Sequence, residues 1–319
     1  MDRKKLRRLL QEWMLPGAIV LGVGLFLLYR AIPPLHAYSA TLSRAASEGQ
    51  RLVIACLLFF QFVKISPHDL RLRRWHLRAL LLQVLSYGVL ALLVAFSPRG
   101  EGRMLLECAM LCMICPTASA AGVITDRLGG NLAATVTYLV LINVAATFLI
   151  PLVIPLVNPS SDMGFWAYVG HIALKVFPVL ILPGLLAWII RYTTHRLQRL
   201  LMRLSYYSFY VWGIGLTLAM VLSTRALLSS NLSAVAVGGI VLASLLCCFV
   251  QFYSGRKMAR GDIESLTAGQ ALGQKNTGFL IWLGYNYMTP VTAVAGGLYA
   301  IWQNLFNAWE LRQKAQENG

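Results

Sequence analysis

Gly269 to Gly278 reads GQALGQKNTG, a polar and glycine-rich run in the middle of an otherwise apolar segment, 262 to 287. Glycine weakens helix, and amide and hydroxyl side chains favour caps over helix interiors. An earlier segment, 103 to 128, carries a matching interruption at Cys115 to Gly122, CPTASAAG, where Pro116 removes a backbone donor. Both runs read as breaks in helices. Thr117 and Asn276 are 159 residues apart in a chain of 319, so each half of the chain holds one break.

Around the breaks the chain is apolar. Hydrophobic residues make up 58% and charged residues 13%, with a mean hydropathy of +0.65, whereas a soluble domain carries about 25% charged residues. A water-soluble fold is excluded, and an all-α membrane protein is predicted. Apolar runs bounded by Pro, Gly or charge predict ten transmembrane helices at 14–31, 46–63, 77–97, 103–128, 131–157, 165–190, 204–224, 230–253, 262–287 and 289–309.

The formal charge of +16 sits in short runs between these segments, as loop charge rather than a nucleic-acid surface. The runs are Arg3, Lys4, Lys5, Arg7 and Arg8; Arg71, Arg73, Arg74 and Arg78; Arg191, Arg196, Arg199 and Arg203; and Arg256, Lys257 and Arg260. With a cytoplasmic amino terminus, twenty of the 28 Lys and Arg residues fall inside. The positive-inside rule thus predicts both termini in the cytoplasm. The basic start and the run Leu15 to Leu28 read as the first membrane helix rather than a signal peptide. Six cysteines, all within apolar segments, imply no disulfide framework.

Five spans per half, with the break in the fourth of each, predict two inverted five-helix repeats with helices four and nine broken and crossing. Unsatisfied backbone is not viable in lipid, so the breaks must be buried or line a wet cavity. At each break the outgoing half-helix offers unpaired N–H groups and the positive end of its dipole. Thr117 or Ser119 can cap the second half of helix four, and Asn276 or Thr277 that of helix nine. Two such ends with a lysine between them suit a carboxylate or sulfonate; the bland reading is close packing by small residues.

Lys275 is the most informative residue, because a mid-membrane charge costs roughly 3 kcal/mol on insertion scales and usually faces a cavity or partner. Snorkelling suits Lys175 better, beside the interfacial Trp166 and Tyr168. Cys108, Cys112 and Cys115 share one helix face, where packing outweighs a soft-metal site. Glu107 reads as a hydrated or paired carboxylate at the outer end of its span. The sequence offers no Walker loop, zinc-protease helix or acidic pair, so an enzyme is not expected, nor a cofactor or metal.

Cys115 to Asn131, CPTASAAGVITDRLGGN, resembles the broken fourth helix of the bile acid:sodium symporter family. Ala271 to Gly278, ALGQKNTG, with the Pro290 to Trp309 helix, is similar to its ninth and tenth. A looser likeness covers nearly all the chain, including Val53 to Lys64 and Val179 to Leu186. The resemblance implies a panel domain from residues 1–70 (helices 1–2) and 161–226 (helices 6–7). It implies a core domain from 71–160 (helices 3–5) and 227–319 (helices 8–10). Substrate would bind between them, touching Ser119 and Asn276, with Thr277 and Thr117 nearby.

The chain departs from that family where sodium binds. Ala271 replaces a glutamate, Lys275 a glutamine, and Ala121 and Gly122 a Ser and an Asn; Leu139 supplies no oxygen. Thr135 and Gln83 remain, leaving Lys275 to compensate charge. The expectation is a secondary transporter of a small organic anion, working by alternating access without bound sodium in a bacterial inner membrane. Facilitated movement, exchange and proton coupling all stay open, as do direction, substrate identity and oligomeric state. The rival readings are an arsenite-type permease using Cys115, and a sensor or scaffold that kept the fold and lost transport.

Overall fold

A computed structural model describes the backbone of residues 3–317. Side chains of residues 1–12, 15, 315 and 317–319 lie outside the described residues, and with them the basic cluster Arg3, Lys4, Lys5, Arg7 and Arg8. Helix accounts for 85% of the structure. The described residues contain no strand, only one isolated antiparallel bridge, Thr117 with Lys275.

Prolines and caps set the element boundaries. α1 (Arg3–Ala31) and α2 (Ser39–Val63) are separated by a 3-10 turn over Pro33–Tyr38, and α3 (Arg74–Phe96) follows. α4 (Glu101–Ile114) stops at Cys115, since the residue before a proline is disfavoured in helix, and a short α5 (Ala121–Arg127) resumes. Asn131 opens α6 (Leu132–Val157), its side chain accepting from the Ala134 N–H at 2.9 Å. α7 (Phe165–Leu180) and α8 (Leu182–Thr193) meet at a 41° bend between Pro178 and Pro183. α9 (His195–Leu204), α10 (Ser208–Leu228) and α11 (Ala234–Met258) come next, then α12 (Asp262–Gly273), α13 (Thr277–Tyr287) and α14 (Ala293–Glu317).

The expected cytoplasmic loop charge is partly helical. Arg196, Arg199 and Arg203 lie on α9, because Leu197, Leu200, Leu201 and Leu204 recur between them at helical spacing. Arg256 and Lys257 end α11, and Arg256 pairs with Glu310 of α14.

Exposure shows which solvent the fold is built for. On α3 the large apolar residues Leu77, Leu81, Leu85, Leu92 and Phe96 point outward. The opposite face buries His76, Gln83 and Tyr87. That is the inverse of a soluble amphipathic helix, and it fits a lipid-facing shell around a polar interior. Among the described residues five segments are long and apolar enough to cross a bilayer: Pro33–Val63, Arg74–Phe96, Leu132–Val157, His195–Leu228 and Ala234–Met258. The bent pair α7 and α8 makes a sixth. In the interior, α4 packs on α3 and α11, α12 on α11 and α6, and α14 on α11 and α13; α1, α2 and α8 join through α10 and α2.

Candidate functional site

Both interrupted segments meet in the interior. After α4 the chain runs extended through Pro116 and Thr117, and after α12 through Gln274 and Lys275. The two stretches pair antiparallel: the Ala118 N–H donates to Gln274 O at 3.0 Å and the Asn276 N–H to Pro116 O at 2.8 Å. Between these bonds Thr117 faces Lys275 as the non-hydrogen-bonded pair of a minimal ladder. The Thr117 hydroxyl adds a bond to Ala271 O at 2.7 Å, and Cys115 Sγ one to Asn276 O at 3.1 Å. Each break thus satisfies backbone groups that the other leaves free.

Glutamines finish the edges. Gln83 of α3 donates to Met113 O at 2.6 Å and Cys115 O at 3.3 Å, the carbonyls that α4 leaves unused, and accepts from Tyr138 Oη of α6 at 2.5 Å. Gln303 of α14 accepts from the Lys275 N–H at 2.8 Å and donates to Lys275 O at 3.3 Å, pairing with one residue as a neighbouring strand would. Tyr299, also on α14, donates to Gly273 O at 2.8 Å and lies 3.1 Å from Gln251 Nε2 of α11. Gln83 and Tyr138, from two flanking helices, thus attend the end of α4, Tyr299 and Gln303 of α14 attend the end of α12 and the stretch after it, and Gln251 of α11 donates to Cys112 O of α4 at 3.2 Å.

Of the expected site residues, Thr117, Lys275, Asn276, Thr277 and Ser119 come together at this crossing. Asn276 caps α13 as anticipated, its Oδ1 accepting from the Phe279 N–H at 3.2 Å. The cap expected from Thr117 or Ser119 does not form. α5 begins after Ala120 with no side-chain cap, because the Thr117 hydroxyl is committed across the crossing and Ser119 stands one residue before the cap position that Ala120 occupies. Ser119 and Thr277 are half-buried and their hydroxyls make no hydrogen bond among the described residues. Lys275 is fully buried, and its ammonium has no hydrogen-bond partner among the described residues. The thiols of Cys115, Cys112, Cys248 and Cys247 are its electrostatic neighbours, and it bonds none of the freed carbonyls among the described residues. Gln83 stands at the break, whereas Thr135 bonds to Thr125 Oγ1 and Asn131 O, each at 3.2 Å, around α5 and the start of α6. Glu107 pairs with Arg103, but it is buried rather than the surface carboxylate expected at the end of its span.

Reading the sequence missed Gln303, Gln251, Tyr138 and Tyr299. It also missed a buried chain in which Arg256 and Gln270 donate to Glu310, and Gln274 to Gln270. The signal was present: Gln303, Asn307 and Glu310 recur at helical spacing in an apolar segment, and Gln251 stands alone in another.

Apolar outer faces around a polar interior, with two interrupted helices paired at its centre, define an integral helical membrane protein. Residues 17–275 match the model of the SBF-like CPA transporter family, and the chain belongs to that family. The match reaches from α1 through both extended stretches and ends at Lys275. No curated protein matches the chain. The family is one of transporters, in accord with the resemblance to bile acid:sodium symporters and with a secondary transporter of a small molecule.

Proposed function

We propose that the protein is an alternating-access carrier of a small organic anion, bound at the crossing and transported without sodium. The observation that carries this reading is the buried, unpartnered ammonium of Lys275 within the backbone pairing of the two breaks. A mid-membrane cation left without a counter-charge favours an anionic visitor. Ser119, Asn276 and Thr277, the half-exposed residues beside it, are the substrate contacts, with Thr117 holding the crossing and Gln83 and Thr135 supporting it. Lys275 takes over the charge compensation that sodium provides elsewhere in such folds.

The same reading has ten spans in two inverted repeats with both termini in the cytoplasm. Its support is that α4, α5, α12 and α13, at 14, 7, 12 and 11 residues, each fall short of the roughly 20 needed to cross. Joined in pairs, they suffice. One interrupted helix in each half supports the repeat, and the packing of α1, α2, α8 and α10 on one another, with α2 and α10 reaching α13, supports a panel beside a core. The membrane in this reading is a bacterial inner membrane.

The test is counterflow of organic anions in proteoliposomes, in sodium chloride and in choline chloride. Uptake is expected to be equal in the two salts and to vanish in Lys275→Ala. Sodium-driven uptake that stops in choline would sink the sodium-free mechanism, and a fully active Lys275→Ala would remove the role of the ammonium.

A further inference from the structure

α2 carries its buried polar residues on one stripe. Ser47, Gln50 and Gln61 recur with Ile54 and Leu58 at spacings of three and four, and all are buried. Asn286 of α13 donates to Ser47 Oγ at 2.9 Å, which docks the two helices. One turn along α2, the Gln50 amide lies against Gly278 in the first turn of α13. A Cβ at position 278 would stand 2.6 Å from Gln50 Nε2 and 3.7 Å from Asn276 Oδ1, so any larger residue there would push the Gln50 amide aside. Gln50 is 1% exposed, and its Oε1 is buried without a donor among the described residues. Buried side-chain oxygens are normally partnered, and each exception calls for a physical reason. Next to it the Gly278 N–H has no intrahelical acceptor, because the carbonyl four residues back, Gln274 O, accepts from Ala118 and precedes the helix.

We propose that Gln50 reads the substrate at the second break, and that this substrate is a small carboxylate carrying a hydroxyl group beside the carboxylate. The proposal rests on the anion-carrier reading above. The carboxylate takes the Gln50 Nε2–H and the Gly278 N–H at the positive end of α13. The hydroxyl of the same molecule donates to Gln50 Oε1. A glutamine presents one donor group and one acceptor on a single planar amide, and a hydroxy acid presents the complementary pair. A plain carboxylate satisfies the donor half alone and leaves Oε1 unpaired, so the site discriminates against it.

Calorimetric titration of the purified full-length protein tests this with two matched pairs, mandelate against phenylacetate and 2-hydroxyisovalerate against isovalerate. Each hydroxy acid is expected to bind wild type roughly tenfold more tightly than its partner, one neutral hydrogen bond's worth. In Gln50→Leu that ratio falls to about one. Gln50→Met serves should the leucine variant fail to fold, and the wild-type ratio needs no variant. Equal affinities within each pair in wild type, or a preference that persists without Gln50, overturn the inference. If the acids still bind and Asn276→Ala weakens them, the anion site itself survives that result. No binding of any of the four acids to wild type overturns both.

Discussion

The two breaks carry out one task with unequal means. At the second, Gln274 and Lys275 are buried, the Lys275 backbone is paired on both sides, and Asn276 caps the following helix. A chain of polar side chains, Gln274 to Gln270 to Glu310 to Arg256, runs behind it. At the first, Gln83 holds the carbonyls of the incoming helix, but Ser119 is half-buried, Ala120 is exposed, and the seven-residue α5 starts without a side-chain cap. The second break is therefore a fixed rail and the first an edge held from one side. A carrier must change conformation around a site it keeps intact, and this division assigns constancy to the second break and compliance to the first.

Glycines give the sharpest way to break the comparison. A Cβ on Gly273 would stand 2.3 to 2.5 Å from three ring atoms of Phe252, and that ring is itself buried, 4.1 Å from the ring of Phe306. Nothing there can move cheaply. A Cβ on Gly122, beside the first break, meets the tip of Leu132 at 2.6 Å, the flexible end of a side chain. Gly273→Ala should cost about 3 kcal/mol and Gly122→Ala less than about 1 kcal/mol, measured by denaturation of the purified protein. Equal losses would refute the difference in rigidity.

How much of this was legible beforehand differs between the breaks for a physical reason. Local chemistry announces where helix must stop, so Pro116, the glycines and the amide cluster located both interruptions, and the Asn276 cap followed from residue type alone. The Thr117 cap failed because a longer-range partner, Ala271 O, took the hydroxyl, and the Ser119 cap because Ala120 occupies the cap position one residue later. Sequence spacing cannot reveal such competition. Gln303 and Tyr299 went unread for the same reason, as their backbone partners come from 26 to 28 residues away. The bend at Ile181 had its prolines in plain view at 178 and 183.

Gln303 is the next test of the rail. Gln303→Leu keeps a similar volume and leaves the Lys275 N–H buried without an acceptor, while Lys275 O retains the Thr277 N–H at 2.8 Å. One orphaned donor should cost about 2 kcal/mol. Chemical denaturation of the variant beside wild type measures it. A loss indistinguishable from zero would mean that the second break does not depend on α14.

The smallest effects separate stability from binding at paired positions. Asn276→Ala removes a helix cap, so it should cost about 1 kcal/mol of stability as well as weakening anion binding. Ser119→Ala removes a hydroxyl that makes no hydrogen bond among the described residues, and its stability should stay within about 0.5 kcal/mol of wild type. Should Ser119 contact substrate, its loss nonetheless lowers affinity, because a half-buried hydroxyl with no internal partner is free to bond a ligand. Titrating each variant with the same anions, beside its unfolding curve, reads the two quantities independently. A destabilised Ser119→Ala would mean that the first break is as tightly built as the second. An Asn276→Ala variant that loses stability while keeping affinity would confine that residue to capping and leave Thr277 and Gly278 as the contacts of α13.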